Sequence, residues 1–153
     1  MTKNFDLEQQ TPEPNRKVIG IIIFSFLLTF VVARLFVYSV VGHWLPDFFL
    51  NVRGVHIHHF AYGVMIIAAV GLYFIVKRPD PGTHTFLHAC FLYGIGLGLT
   101  FDEFGMWIRL EDDYWVRQSY DAVVIILLVL LNIAFFKSIV AWIRKEWREL
   151  IGK

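Results

Sequence analysis

Charged residues are scarce in this chain, and neither sign of charge dominates. Asp, Glu, Lys and Arg make up 18% of the 153 residues, whereas a soluble domain usually carries about 25%. The formal net charge is +1, which excludes the basic field that nucleic acid requires, so we expect no nucleic-acid partner. A single cysteine, Cys90, excludes an intrachain disulfide. These absences remove most soluble classes of protein.

Apolar and aromatic residues are abundant instead. They account for 57% and 17% of the chain, with fifteen Phe, and the mean hydropathy is +0.57. So few charges cannot cover this much apolar surface with a polar shell. The composition therefore predicts an integral membrane protein, and the length allows a single domain.

Four apolar segments are long enough to cross a bilayer, which takes roughly 20 residues at about 1.5 Å each. Helices satisfy their own backbone in hydrocarbon, so the pattern predicts an all-α membrane protein with a four-transmembrane-helix bundle. We expect a mobile tail over residues 1–17, the transmembrane domain over 18–140, and an amphipathic interfacial helix over 141–153. The predicted spans cover residues 18–41, 55–76, 86–110 and 122–136.

Basic residues are divided unequally between the two sides of the predicted bundle. Ten lie on the side of the chain termini and three on the other, which places both termini in the cytoplasm by the positive-inside rule. We therefore expect a multi-pass protein of the cell (inner) membrane. The ten are Lys3, Arg16, Lys17, Lys77, Arg78, Lys137, Arg144, Lys145, Arg148 and Lys153, and the three are Arg53, Arg109 and Arg117.

Three histidines within four residues open the second predicted span. In a helix His56 and His59 share a face, whereas in an extended segment His56 and His58 share one. At least two imidazoles converge in either case, and imidazole is a ligand that suits zinc and iron. The alternative is a helix entry whose imidazoles bind interfacial water and lipid phosphate.

Two adjacent carboxylates, Asp102 and Glu103, lie near the outer end of the third predicted span. They lie roughly 16 residues, or ~24 Å, above its start. A charged side chain at the centre of a span costs ~2.5–3.5 kcal/mol on insertion scales, so we expect each carboxylate to face a partner, a cavity or an ion. The alternative is a salt bridge to Arg34 or Arg109 that fixes the register of the helices.

Together these residues predict a metal site on the outer side. The expected ligands of a divalent metal, Zn or Fe, are His56, His58, His59, Asp102 and Asp121. Glu103 or Asp113 is expected to act as general base on metal-bound water. Asp121 also suits a helix N-terminus, and the acidic run that contains Asp113 is alternatively a solvated loop.

The predicted location favours a hydrolase-like enzyme that acts on a lipid or lipid-linked substrate. One alternative is a non-enzymatic membrane scaffold or sensor in which the polar cluster only fixes the fold. Another is a component of ion or proton transport, although Asn132 is the only strongly polar residue inside the fourth predicted span. The partners that we expect are membrane lipid and a second copy of the chain. Gly94 and Gly98 form a GxxxG pair that favours such helix association.

Several of these motifs resemble those of a known family. The segments His56-Ile57-His58-His59-Phe60, Asp102-Glu103-Phe104 and Glu111-Asp112, with Tyr114-Trp115 after it, resemble the signature of a family of small uncharacterised prokaryotic integral membrane proteins. The resemblance extends from the second predicted span to the start of the fourth. It implies a four-helix membrane fold and singles out the same polar residues, and it brings no activity with it.

Overall fold

The computed structural model describes five stretches of the chain, to which all structural statements refer. They are residues 13–46, 51–52, 55–56, 58–110 and 115–151. These stretches contain the helices α1 (Glu13–Val41), α2 (His59–Lys77), α3 (His84–Asp102), α4 (Phe104–Arg109) and α5 (Arg117–Ile151). Two short strands, β1 (Asn51–Val52) and β2 (Val55–His56), pair antiparallel before α2.

Helices α1, α2, α3 and α5 are long and apolar enough to span a membrane. This confirms the prediction of a helical fold with four helices of that kind, and it is compatible with a multi-pass membrane protein. In the most apolar part of α5, only 6% of the residues are buried within the protein, compared with 39% in α3. The exposed apolar side chains of α5 therefore face the surroundings, which in a bilayer are lipid tails.

α3 is the central helix, and it packs against α1, α2 and α5. Phe26 of α1, Leu97 of α3 and Val123 of α5 form a buried apolar core between three of the helices. Apolar burial between helices adds little in lipid, so close contact of the backbones must hold them together.

The glycines of α3 provide this close contact with α1. A Cβ atom placed on Gly98 would lie 2.7 Å from Cβ of Thr29 and 2.9 Å from the carbonyl oxygen of Phe26. Gly94 faces Ser25 in the same way, so the prediction that both glycines pack against another helix is confirmed. Because α1 of the same chain occupies this face, a second copy of the chain would have to bind elsewhere.

The ends of two helices differ from the predicted boundaries. α1 begins at Glu13, inside the segment predicted as a tail, and Pro14 lies in its first turn, where a missing N–H costs nothing. Residues 1–12 of that tail lie outside the described part. α5 continues through residues 141–151 without a break, so the predicted separate C-terminal helix is the end of a 35-residue helix.

The two ends of the bundle are named the site end and the terminal end. At the site end α1 and α3 finish, and α2 and α5 begin. At the terminal end α1 and α3 begin and α2 finishes. There Arg78 adopts a left-handed conformation and its N–H donates to the carbonyl oxygen of Phe74 at 3.1 Å. Thr83 caps α3 by accepting from the N–H of Phe86.

Candidate acid–base site

The two carboxylates lie where α3 breaks. The third predicted span was continuous to Leu110, but α3 ends at Asp102, and Glu103 leaves the helix with φ −102° and ψ 9°. The carboxylate of Glu103 accepts the backbone N–H of Phe60 at 2.8 Å through Oε2. This contact binds the first turn of α2 to the end of α3, and it gives a physical reason for the break.

Asp102 is fully buried between α1 and α2. Its Oδ1 accepts a hydrogen bond from Nε of Arg34, and its backbone carbonyl accepts one from Nη2 of the same guanidinium. Its Oδ2 lies 2.8 Å from Nε2 of His59. The salt bridge to Arg34, which the sequence left open as an alternative, is therefore present. Arg34 binds one side of Asp102 and leaves the other side to the imidazole.

Glu103 lies close to both His58 and His59. Its Oε1 lies 3.2 Å from Nδ1 of His59 and 3.3 Å from Nδ1 of His58. His59 thus has a carboxylate oxygen near each ring nitrogen. The guanidinium of Arg34 supplies a positive charge against the buried Asp102, and buried carboxylates require such partners.

The backbone at the start of α2 explains why both imidazoles reach Glu103. His58 precedes the helix in an extended conformation, with φ −66° and ψ 144°, and His59 is the first helical residue. The two positions therefore fall on different kinds of backbone. Because the side chain of His56 lies outside the described part, its expected pairing with His58 or His59 stays a prediction.

Two aromatic rings lie against the guanidinium of Arg34. Its guanidinium carbon lies 5.5 Å from the ring centroid of Phe30 and 4.8 Å from that of Tyr120. Such contacts stabilise a desolvated cation, and Tyr120 brings α5 into the cluster. Sequence reasoning missed both rings, although Phe30 precedes Arg34 by one helical turn and so shares its face.

The cluster opens to the surroundings through its imidazoles. The side chains of His58 and His59 are 29% and 22% exposed, compared with 2% for Glu103 and 0% for Asp102. Phe60 follows His59 in the chain, and its ring stacks on that of Trp107 with centroids 5.6 Å apart. The two partly exposed imidazoles are named the mouth of the site.

The other predicted site residues are placed differently or not described. The side chain of Asp121 is exposed and lies 3.4 Å from Arg117 on the same helix, so it does not join the cluster. His56 ends β2, and its side chain lies outside the described part. Asp113 belongs to residues 111–114, which also lie outside it.

The described side chains do not form a metal site. No group of three or more His, Cys, Asp or Glu in the described stretches is arranged to hold a metal ion. Each carboxylate oxygen of Asp102 and Glu103 has a nitrogen neighbour within the protein. These four oxygens and their partners fit an acid–base cluster.

Comparisons with known proteins do not assign a function to this chain. The chain matches no protein-family model, no curated protein and no solved structure. The resemblance to the prokaryotic membrane-protein family stays a prediction.

Proposed function

We propose that this protein is a membrane-embedded, hydrolase-like acid–base enzyme that acts on a lipid or lipid-linked ester. The supporting observation is the gradient of exposure in the cluster, from buried carboxylates to partly exposed imidazoles. A buried carboxylate that orients an imidazole and stabilises its protonated form is the arrangement that general bases use. The metal expected from the sequence has no part in this proposal.

His58 is the proposed proton acceptor at the mouth. It removes a proton from water while the water oxygen attacks the ester carbonyl carbon, and it then gives that proton to the departing alkoxide. The net reaction adds one water across the ester bond and leaves an acid and an alcohol. Glu103 positions the ring of His58 at 3.3 Å and stabilises its positive charge. Arg34 and Asp102 fix His59, which holds Glu103 from the other side.

The proposal is tested with the full chain in detergent micelles and two probes, a fluorogenic medium-chain ester and a fluorescent phosphatidylcholine. We expect the wild type to hydrolyse at least one probe, and we expect His58→Ala to lower the rate by ~10²–10⁴-fold, the usual contribution of a general base. His43→Ala is the matched control, because His43 is another exposed histidine at the site end of α1. Equal rates for both variants would contradict the proposal. Stoichiometric zinc or iron that is lost on His59→Ala would replace it with a metal-dependent mechanism.

A structural role is the second candidate, and one observation favours it. In the described part of the chain, no buried side-chain nitrogen or oxygen lacks a hydrogen-bond partner. A fully satisfied network that joins α1, α2 and α3 is what a scaffold requires. This candidate predicts no hydrolysis of either probe by the wild type, together with a large fall in melting temperature for Glu103→Gln.

Ion or proton transport has less support from the buried polar groups. Below the cluster, the buried hydroxyls of Ser25 and Thr100 donate to carbonyl oxygens of their own helices, Ile21 and Gly96 respectively. A hydroxyl that already donates its proton to its own helix does not provide a donor for a transported anion or a proton relay. We therefore do not extend the proposal to a path across the membrane.

The proposed orientation places the site end outside and both chain termini in the cytoplasm of a prokaryotic cell. It rests on the unequal division of basic residues. At the end of α5, Trp142, Ile143 and Trp147 are exposed and lie among Arg144 and other basic residues. We propose that this segment lies at the cytoplasmic membrane interface, where Trp and basic side chains are favoured.

A further inference from the structure

A groove between α1 and α3 lies at the terminal end of the bundle, away from the acid–base site. It has a volume of about 430 Å³. The lining residues that matter here are Lys17, Gly20 and Phe24 of α1 and Leu87, His88 and Phe91 of α3. The proposed function does not use this groove.

Gly20 contributes open space to the groove. A Cβ placed on Gly20 would meet no atom within 4 Å, whereas a Cβ on Gly94 or Gly98 would meet atoms of α1 at less than 3 Å. The missing side chain of Gly20 therefore leaves this part of the surface between α1 and α3 open.

The side chains around the groove combine an apolar wall with a basic rim. Phe24, Leu87 and Phe91 form the wall, and the lining surface is apolar, so the nitrogens of Lys17 and His88 lie at its edge. Both residues lie in the second turn of their helices. An ammonium group and an imidazole N–H both donate to phosphate oxygens. The residues that line the groove include no carboxylate.

We propose that this groove binds an anionic phospholipid. One acyl chain packs against Phe24, Leu87 and Phe91, and the headgroup phosphate accepts hydrogen bonds from Lys17 and His88. Other basic residues, Arg16 and Arg78 among them, lie at the same end of the bundle, so the local charge favours an anionic headgroup. Basic pockets between transmembrane helices on the cytoplasmic side select such lipids.

Binding is tested by native mass spectrometry of the full chain in detergent, titrated with dioleoyl phosphatidylglycerol or with dioleoyl phosphatidylcholine. We expect one phosphatidylglycerol to bind more tightly than phosphatidylcholine. Lys17→Gln should weaken its binding about five-fold, the effect of one basic residue near a membrane surface. Lys77→Gln is the matched control, since Lys77 ends α2 at the same end but does not line the groove.

A second pair of variants tests the groove itself. Gly20→Leu should fill the space and abolish the binding of that lipid. Gly71→Leu should leave it unchanged, because Gly71 also has no atom within 4 Å of a Cβ but lies on α2. The melting temperature of each variant confirms that it is folded. Equal binding by all four variants overturns the proposal, as does equal binding of both lipids. Displacement of the lipid by inorganic phosphate also overturns it, since that result indicates a site for a free anion.

Discussion

Arg34 is the residue on which the buried cluster depends most. It carries a full charge in a membrane-spanning helix and is only 6% exposed, so its partners Asp102, Phe30 and Tyr120 replace water. Removal of one member of a buried ion pair leaves the other charge without compensation, whereas removal of both leaves an apolar contact. Single and double substitutions at Arg34 and Asp102 should therefore differ in their effects.

We expect Arg34→Leu and Asp102→Leu each to lower the free energy of unfolding by ~3–5 kcal/mol. The double variant should lose clearly less than the sum of the two. Unfolding of the four proteins in the same detergent measures this coupling. Arg117→Leu is the control, because its pair with Asp121 is exposed on both sides and should contribute at most ~0.5 kcal/mol. Strictly additive losses would show that Arg34 and Asp102 do not act as a pair.

The sequence predicted which residues lie together, but it did not predict which atoms pair. The expected depth of each residue in the membrane placed His59 with Asp102 and Glu103. Neither the imidazole nor the carboxylates tolerate contact with lipid tails, so both were expected to turn inward. The pairing depends on details that depth does not report. Arg34 reaches Asp102, and His58, which precedes α2 in an extended conformation, reaches Glu103.

At the scale of the helices, α3 shows why hydropathy overestimates continuous spans. The apolar residues of α4 extend the predicted third segment to Leu110, yet the helix breaks at Glu103. The cause is a tertiary contact, the N–H of Phe60 to Glu103, and the pattern within one segment carries no information about it. The four-span architecture, by contrast, follows from segment length and composition alone.

The crossing of α1 and α3 should be the most sensitive helix contact in the fold. Gly98→Leu places a large side chain where a Cβ alone already meets Thr29 and Phe26, and such overpacking costs ~1–3 kcal/mol or more. We expect a lower melting temperature in detergent for this variant. Gly71→Leu adds the same side chain where nothing lies within 4 Å and should be nearly silent. Equal melting temperatures for the two variants would refute close packing at Gly98.

For the whole molecule, we predict that four membrane spans place both chain termini on one side of the membrane. The division of basic residues predicts that this side is the cytoplasm. A reporter that is active only in the cytoplasm should be active when fused after Lys153. A reporter that is active only outside should be active when inserted at Asp112. The opposite pattern would place the acid–base site in the cytoplasm and the phospholipid groove in the outer leaflet.

The ion pair between Arg34 and Asp102 also constrains how the protein is inserted into the membrane during its synthesis. The two residues are 68 positions apart in the chain, which a ribosome covers in roughly 3–14 s at about 5–20 residues per second. During that interval α1 exists without the carboxylate that neutralises it. The newly made α1 must therefore wait beside the insertion machinery, or with its guanidinium drawn up to the interface, until α3 emerges. A nascent chain that stops before α3 carries an uncompensated charge in its first span, which makes it a natural target for membrane quality control.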